Sequence, residues 1–182
     1  MKTLLIVRHA KAQPDAPDGD HARALTDRGR RDARTMGGYL SSLVDVPDAI
    51  VTSDARRALE TAELVAAGCR FMSSLTVEPD IYGADAASLE SIVRQFPDSA
   101  ACVVIVGHNP GMQDLAALLT GLDDVVEHLP TAGIIRLEHD SDRWQDLTPG
   151  SCHARGTMSP RLLKDQADLA VRDPHPPVAE GG

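Results

Sequence analysis

Long apolar runs, cysteine and excess positive charge are all scarce in this chain. The longest apolar run, residues 100–106, has 7 residues, whereas a membrane-spanning helix needs about 20. The apolar residues 4–7 are followed at once by Arg8 and His9, so this stretch is too short for the core of a signal peptide. We therefore expect a cytoplasmic protein that does not cross a membrane.

Few cysteines and a negative net charge exclude further classes. The chain has 3 cysteines, at positions 69, 102 and 152, with no CxxC pair. This spacing indicates neither a disulfide framework nor a zinc site, and we expect no metal. The formal net charge of −9 argues against a nucleic-acid partner. It leaves room for an anionic substrate, because clustered arginines can form a positive pocket in an acidic protein.

Hydrophobic periodicity predicts alternating strands and helices. We expect strands at residues 2–7, 48–52, 75–77 and 101–106, and helices capped by Thr26, by Ser53 or Asp54, by Asp85 and by Asn109. This order predicts a three-layer α/β/α sandwich with a mainly parallel central sheet. A hairpin of residues 134–137 and 143–147 would add antiparallel edge strands. We expect one domain over residues 1–149, followed by a partly disordered C-terminal extension over residues 150–182.

Two histidines follow predicted parallel strands. His9, with Arg8 beside it, follows the first strand, and His108 follows the strand at residues 101–106. In open α/β sheets, ligands bind outside the carboxyl ends of the strands, and a helix that begins near His108 would favour an anion there. Each histidine could instead be a hydrogen-bonded structural residue, and the residues alone leave both interpretations open.

Two arginines open the helix that follows the second strand. Arg56 and Arg57 lie in its first turn, where a positive charge opposes the helix dipole by about 0.3–1 kcal/mol. Such an unfavourable placement indicates another use, such as phosphate binding. Alternatively, both side chains are solvated or pair with Asp54 and Glu60.

These residue types suit phosphoryl transfer. A neutral imidazole is a good nucleophile toward phosphorus if its other ring nitrogen is held in a hydrogen bond. Arginine side chains and a second, protonated histidine can bind the three equatorial oxygens of the phosphoryl group without a metal.

The motifs resemble those of the histidine phosphatase (phosphoglycerate mutase-like) superfamily. They are Arg8-His9-Ala10, Leu25-Thr26-x-x-Gly29, Ser53-x-x-x-Arg57-Ala58-x-x-Thr61-Ala62 and Gly107-His108. Ala10 stands where glycine is usual, as in the small SixA-type phosphohistidine phosphatases of this superfamily. The resemblance implies a phosphoglycerate mutase-like fold and no cofactor. It also implies that His9 is the catalytic nucleophile and that Arg8, Arg57 and His108 bind the phosphoryl group.

The chain departs from the larger family members between residues 62 and 103. Those members carry long insertions there that cover the site, and they place a general acid in the same region. Here the segment is short, which predicts an open site, and Glu78 and Asp80 are the candidate acids. His21 and Arg23, in the loop after the first motif, are candidates for the mouth of the pocket.

Several functions follow from this resemblance. The first hypothesis is a phosphohistidine phosphatase that acts on proteins, because a protonated phosphoramidate needs no strong acid to leave. The second is a small-molecule phosphomonoesterase or mutase-like enzyme of the same fold. A third, of another class, is a catalytically silent phosphate-binding or interaction module. We expect a monomer whose partner is a phosphorylated protein or a small phosphorylated substrate.

Overall fold

The computed structural model describes residues 1–43, 46–122 and 128–172. Residues 173–182 of the C-terminal extension, which we expect to be partly disordered, lie outside this range. The elements in chain order are β1 (Lys2–Arg8), α1 (Asp27–Leu43), β2 (Ala49–Thr52), α2 (Arg56–Gly68), β3 (Thr76–Val77), α3 (Ala86–Val93), β4 (Cys102–Gly107), α4 (Gly111–Thr120), β5 (Ile134–His139), β6 (Cys152–Met158) and α5 (Pro160–Arg172). Short 3-10 helices lie at Asp20–Ala22, Pro79–Ile81 and Trp144–Asp146. None of the helices within the described ranges is long and apolar enough to cross a membrane.

The strands form a 6-stranded sheet in the order β3-β2-β4-β1-β5-β6. The first four strands of this order pair in parallel, whereas β5 is antiparallel to β1 and β6 is antiparallel to β5. The predicted mainly parallel sheet with antiparallel edge strands is therefore confirmed. Because β1 and β4 are parallel neighbours, their carboxyl ends lie side by side.

An apolar core covers each face of the sheet. Leu4 and Ile6 of β1 pack with the side chains of α3 and α4, while Leu5 and Val7 point to the other face and pack with those of α1 and α2. Alternate residues of a strand point to opposite faces, so the continuous apolar run in β1 fits a strand buried on both sides. The result is the expected three-layer arrangement.

Helices α1 and α2 approach each other closely at two glycines. A Cβ atom on Gly37 would lie 2.7 Å from the carbonyl oxygen of Val65, and one on Gly68 would lie 2.7 Å from backbone atoms of Gly37. Neither position therefore has room for a side chain. This contact seats α2 against α1 and fixes where the first turn of α2 lies relative to β1.

The predicted closing hairpin is wrong. Residues 143–147 form a turn around the 3-10 helix Trp144–Asp146, in which Trp144 is fully buried and its indole N–H donates to the carbonyl of Ala100 at 2.8 Å. The antiparallel partner of β5 is β6, beyond residue 149, the predicted end of the domain. Most of its side chains are exposed, so β6 lacks the apolar alternation by which a half-buried strand is recognised.

Two helix starts also differ from the expectation, although Thr26 and Asp85 cap their helices as predicted. Helix α2 begins after Ala55, because the Ser53 hydroxyl binds the Ala55 N–H at 3.2 Å and Asp54 pairs with His21. Helix α4 begins after Pro110. Asn109 instead donates from its side chain to the carbonyl of Leu129 at 3.2 Å. In both cases a side chain expected to cap a helix binds a group beside the candidate site.

Candidate active site

The carboxyl ends of β1 and β4 bring His9 and His108 together. Arg8 pairs with Gly107 in the register of the two strands, and the His9 N–H donates to the carbonyl of Gly107 at 2.9 Å. The two imidazole rings lie 5.2 Å apart between centroids, tilted by 55°. The two histidines that follow predicted parallel strands therefore lie side by side in the structure.

The hydrogen bonds of His9 define its tautomer. Nδ1 lies 2.7 Å from the carbonyl oxygen of Ala10, and because a carbonyl can only accept, Nδ1 carries the proton. Nε2 then presents a lone pair, to which Arg57 donates from Nε at 3.3 Å. The pKa of His9 is lowered to about 4, chiefly by burial and further by neighbouring arginines, although the Ala10 bond opposes the shift. At neutral pH the ring is an uncharged imidazole with its nucleophilic nitrogen toward the pocket arginine.

Helix α2 is tied to the loop that carries His9. Ala10 is fully buried, and its N–H donates to the Thr61 hydroxyl at 3.0 Å. That hydroxyl in turn donates to the carbonyl of Arg57 at 2.6 Å. These contacts account for the Thr61 position of the third motif and hold Arg57 beside His9.

The two adjacent arginines of α2 have different surroundings. Arg57 is 5% exposed, and its guanidinium contacts His9 through Nε and Asp20 through Nη1 and Nη2, at 2.6 Å to the Asp20 carbonyl and 2.9 Å to its carboxylate. Arg56 is 60% exposed and pairs with Glu60 at 2.9 Å. Successive helical residues point about 100° apart, so only Arg57 faces the histidines.

Arg8 completes the cationic side of the pocket. Its Nη1 donates to the carbonyl of Leu129 at 2.8 Å. Its Nε is buried and has no hydrogen-bond partner among the residues that the structure describes. A buried donor of this kind is costly unless a ligand satisfies it.

His108 is held by a buried hydroxyl. Its Nε2 lies 2.9 Å from Oγ of Ser53, which also accepts from the N–H of Ala55. The pKa of His108 is lowered to about 3, first by burial and then by the charge of His9, so His108 is neutral at pH 7. The sequence-based mechanism used a protonated second histidine. A bound phosphoryl group would favour that form, because negative charge raises the pKa of a neighbouring histidine.

Sequence reasoning missed two residues of this cluster, Asp20 and Tyr82. The Tyr82 hydroxyl donates to Oδ2 of Asp20 at 2.6 Å, and the Tyr82 ring lies edge-on to His108 at 5.3 Å between centroids. Both residues expected at the pocket mouth contact this pair. Nε of Arg23 lies 3.0 Å from Oδ1 of Asp20, and the rings of His21 and Tyr82 lie 4.9 Å apart between centroids. The only available sequence signal was that Asp20 lies in the loop after the first motif.

Neither of the two candidate acids has a described side-chain contact with the phosphate-pocket residues. Glu78 accepts from the backbone N–H of Asp80 at 3.2 Å and lines a groove with Ile92 and Phe96 of the α3 region. Asp80 is exposed. The carboxylate that contacts Arg57 is that of Asp20, so the general-acid role of Glu78 or Asp80 stays a prediction. Within the described ranges, no group of His, Cys, Asp and Glu side chains is arranged to hold a metal ion.

Comparison with known proteins identifies relatives of this chain. The family model of the histidine phosphatase superfamily (branch 1) matches residues 4–85. An uncharacterized protein of Mycobacterium tuberculosis is 33% identical over 167 residues, which cover 85% of this chain and 100% of that protein. The family model covers the motifs that contain His9 and Arg57 but ends before His108. The similarity to the Mycobacterium tuberculosis protein extends over most of the chain.

Solved structures share the fold. A candidate phosphohistidine phosphatase SixA from Nakamurella multipartitia has a TM-score of 0.79 at 24% identity, covering 87% of this chain and 96% of that one. The protein histidine phosphatase SixA in complex with tungstate has a TM-score of 0.69 at 26% identity, covering 88% and 99%. A mycobacterial glucosyl-3-phosphoglycerate phosphatase has a TM-score of 0.66 at 18% identity, covering 86% and 98%. Similar structures thus include enzymes named for a protein substrate and for a small molecule.

Proposed function

The chain belongs to the histidine phosphatase superfamily, and on this premise we propose that it removes phosphate from phosphohistidine on proteins through a covalent intermediate at His9. The observation that carries this proposal is that the unprotonated Nε2 of His9 accepts from the Nε–H of Arg57 at 3.3 Å. It puts a nucleophile and an oxyanion-binding cation next to each other. We further propose that the enzyme is cytoplasmic, monomeric and independent of metal ions.

The proposed reaction has two displacements at phosphorus. In the first, Nε2 of His9 forms a bond to phosphorus while the bond to the leaving group breaks, and the leaving group takes that electron pair. Arg8, Arg57 and a protonated His108 bind the phosphoryl oxygens, over which negative charge spreads in the transition state. In the second, water attacks the phosphohistidine, releases inorganic phosphate and returns His9 to its neutral form.

Two features favour a phosphohistidine substrate. Between α2 and β4 the chain forms only β3, a 3-10 helix and the 8-residue α3, which leaves space beside the pocket for the bulk of a folded protein. The carboxylate beside Arg57 is Asp20, whose pKa is lowered, chiefly by the Tyr82 hydroxyl. An ionised carboxylate cannot protonate an alkoxide, and a positioned acid typically contributes about 10²–10⁴-fold for such leaving groups.

A small-molecule phosphomonoesterase or mutase-like enzyme is the alternative. The fold that this chain shares with the glucosyl-3-phosphoglycerate phosphatase favours it, and the exposed Tyr82 and His21 side chains offer contacts to a sugar. A mutase would also have to capture a second phosphate group. The third hypothesis, a silent binding module, would leave the nucleophilic nitrogen of His9 without a use.

A substrate panel separates these functions. The purified protein would be assayed with a phosphohistidine protein, a phosphoserine peptide, phosphoglycerate and glucosyl-3-phosphoglycerate. We expect the highest kcat/KM for the phosphohistidine protein and slow turnover of aryl phosphates. A sugar phosphate that proves best by a wide margin would replace the protein phosphatase with the small-molecule enzyme. Binding of inorganic phosphate without turnover of any substrate would indicate the silent module.

A further inference from the structure

Asp20 lies on the outer side of the phosphate-binding arginine. It begins the 3-10 helix Asp20–Ala22 in the loop between β1 and α1. Its carbonyl oxygen and Oδ2 accept from the two terminal nitrogens of Arg57, at 2.6 and 2.9 Å. His9 contacts the same guanidinium through Nε. Asp20 and His9 therefore contact different nitrogens of one planar group.

This placement relates Asp20 to the leaving group. In phosphoryl transfer, the attacking and leaving atoms lie roughly in line on opposite sides of phosphorus. With His9 at Nε of Arg57 and the phosphoryl group bound against the guanidinium, the leaving group departs away from His9, toward the terminal nitrogens that the Asp20 carboxylate and carbonyl contact. The Asp20 side chain is 56% exposed, whereas Arg57 is 5% exposed, so the carboxylate is open to an incoming group.

The carboxylate is held in place and charged. Oδ2 accepts from the Tyr82 hydroxyl at 2.6 Å, and Oδ1 lies 3.0 Å from Nε of Arg23. The Tyr82 hydroxyl and the arginines hold the pKa of Asp20 below its ordinary value, although burial opposes them. The site therefore presents a fixed negative charge at the mouth of a pocket that is otherwise cationic.

Phosphohistidine has a leaving group that gains from such a charge. Its ring leaves readily only when the nitrogen that does not carry phosphate is protonated, which makes the ring cationic. Serine and sugar phosphates have no such proton on the leaving group. An anion beside the leaving group favours the protonated ring, because an opposite charge raises the pKa of an imidazole.

Building on the proposed function, we propose that Asp20 is a specificity-determining residue that accepts the ring N–H of the protonated imidazole leaving group. When Nε2 of His9 bonds to phosphorus, the phosphorus–nitrogen bond breaks and its electron pair returns to the substrate ring. The ring leaves as neutral imidazole and keeps the proton that faces Asp20. No proton is transferred from the enzyme in this step.

The test compares two substrates in matched variants. Asp20→Asn keeps the shape of the side chain and removes its charge. Asp18→Asn removes the same charge from an exposed residue of the same loop, for which no contact with the pocket residues is described. Each variant and the wild type would be assayed with a phosphohistidine peptide and with an aryl phosphate, whose leaving group brings no proton.

We expect Asp20→Asn to lower the ratio of kcat/KM for phosphohistidine over aryl phosphate by about tenfold or more, the size of a lost hydrogen bond between charged groups. Asp18→Asn should leave this ratio within about twofold, as is usual for surface charges. The alkaline limb of the kcat profile for phosphohistidine should also move to lower pH in Asp20→Asn, since kcat reports ionisations in the enzyme–substrate complex.

Other outcomes have distinct meanings. Equal losses on both substrates, with an unchanged alkaline limb, would overturn the proposal and make Asp20 a residue that only positions Arg57. A wild-type protein that hydrolyses the aryl phosphate through labelled His9 but ignores phosphohistidine would overturn the proposed substrate, and this inference with it. The wild-type arm thus separates failure of the function from failure of the role of Asp20.

Discussion

Charged side chains are held in two regions of this protein, at the carboxyl ends of β1 and β4 and on strands β5 and β6. On β5, Glu138 is 8% exposed, and each of its carboxylate oxygens accepts from an arginine, Arg136 or Arg155, at 2.7 Å. The arginines hold the pKa of Glu138 low, with Arg155 the larger contributor. Here the acceptor is saturated within the protein.

The strand-end site is balanced differently. Arg8, Arg23 and Arg57 all act on His9, and one carboxylate, that of Asp20, interacts with Arg23 and Arg57. The Nε of Arg8 and the Nδ1 of His108 are buried and have no partner within the described part of the chain. Buried polar atoms usually have partners, but Nε of Arg136 on β5 also lacks one in the described part of the chain, so an unpartnered atom alone does not distinguish the two clusters. In the β5–β6 cluster the arginines pair with one carboxylate, whereas at the strand ends Arg8 and Arg57 converge on the ring of His9. This convergence on a nucleophilic nitrogen indicates an anion-binding site.

The largest loss of activity at the strand-end site is expected from His9→Ala. Removing the nucleophile should abolish turnover, because Nε2 of His9 is the atom that bonds to phosphorus in the proposed mechanism. The wild type, quenched under alkaline conditions that preserve phosphohistidine, should carry phosphate on His9 by mass spectrometry. His153→Ala, at an exposed histidine that faces Asp140, is the matched control and should retain full activity. Label on a serine or cysteine, or an active His9→Ala protein, would refute this mechanism.

The next effect separates the two arginines of α2. Arg57→Ala should lower kcat/KM by about two to three orders of magnitude, the usual cost of losing one oxyanion donor. Arg56→Ala removes an exposed ion pair with Glu60 and should cost about twofold or less. Thermal unfolding of both variants would control for misfolding. Equal losses, or the reverse order, would contradict the assignment of the pocket arginine.

The sequence predicts the strands that carry the site better than it predicts which side chains meet there. The continuous apolar runs of β1 and β4 predict buried parallel strands with His9 and His108 at their carboxyl ends, but the pairing of these two strands as neighbours comes from the structure. The choice of Arg57 over Arg56 came from the resemblance to a family motif. The first turn of α2 has no apolar pattern that distinguishes the two positions before the packing of α1 on α2 is known.

Asp20 and Tyr82 could not be found in this way. The loop after β1 also contains Asp15 and Asp18, and the position of Asp20 depends on the turn at Gly19, whose φ of +93° is one that L-residues rarely adopt. Tyr82 reaches the site from a 3-10 turn, which carries no periodicity. The strand β6 escaped prediction for a related reason, since backbone pairing with β5 holds it while its side chains face solvent.

The pH dependence of stability should distinguish the two regions. His9 and His108 have folded-state pKa values of about 4 and about 3, below the unfolded value of about 6.5. The unfolded chain therefore binds protons first, and the free energy of unfolding should fall as the pH drops from about 6.5. At pH 5 the loss is about 2 kcal/mol for each histidine at most. The Glu138 contribution should persist there and be lost only below the carboxylate range.

Urea unfolding at pH 7, 6 and 5 measures this difference. His108→Asn should reduce the decline between pH 6.5 and 5, because one titrating group is removed. His153→Asn, at an exposed position, should leave the decline unchanged. A stability that stays flat to pH 5 in the wild type would mean that the two buried histidines are not depressed as the geometry indicates.

The smallest effect is expected from removal of metal ions. In the proposed mechanism, the charge that develops on the phosphoryl oxygens is met by Arg8, Arg57 and His108, so a divalent cation has no step left to assist. An arginine stays charged under all assay conditions, and a metal chelator does not change that charge. Activity should therefore be the same, within about twofold, with and without excess chelator. Loss of activity on chelation, restored by a divalent ion, would show that Arg8, Arg57 and His108 are not sufficient for catalysis.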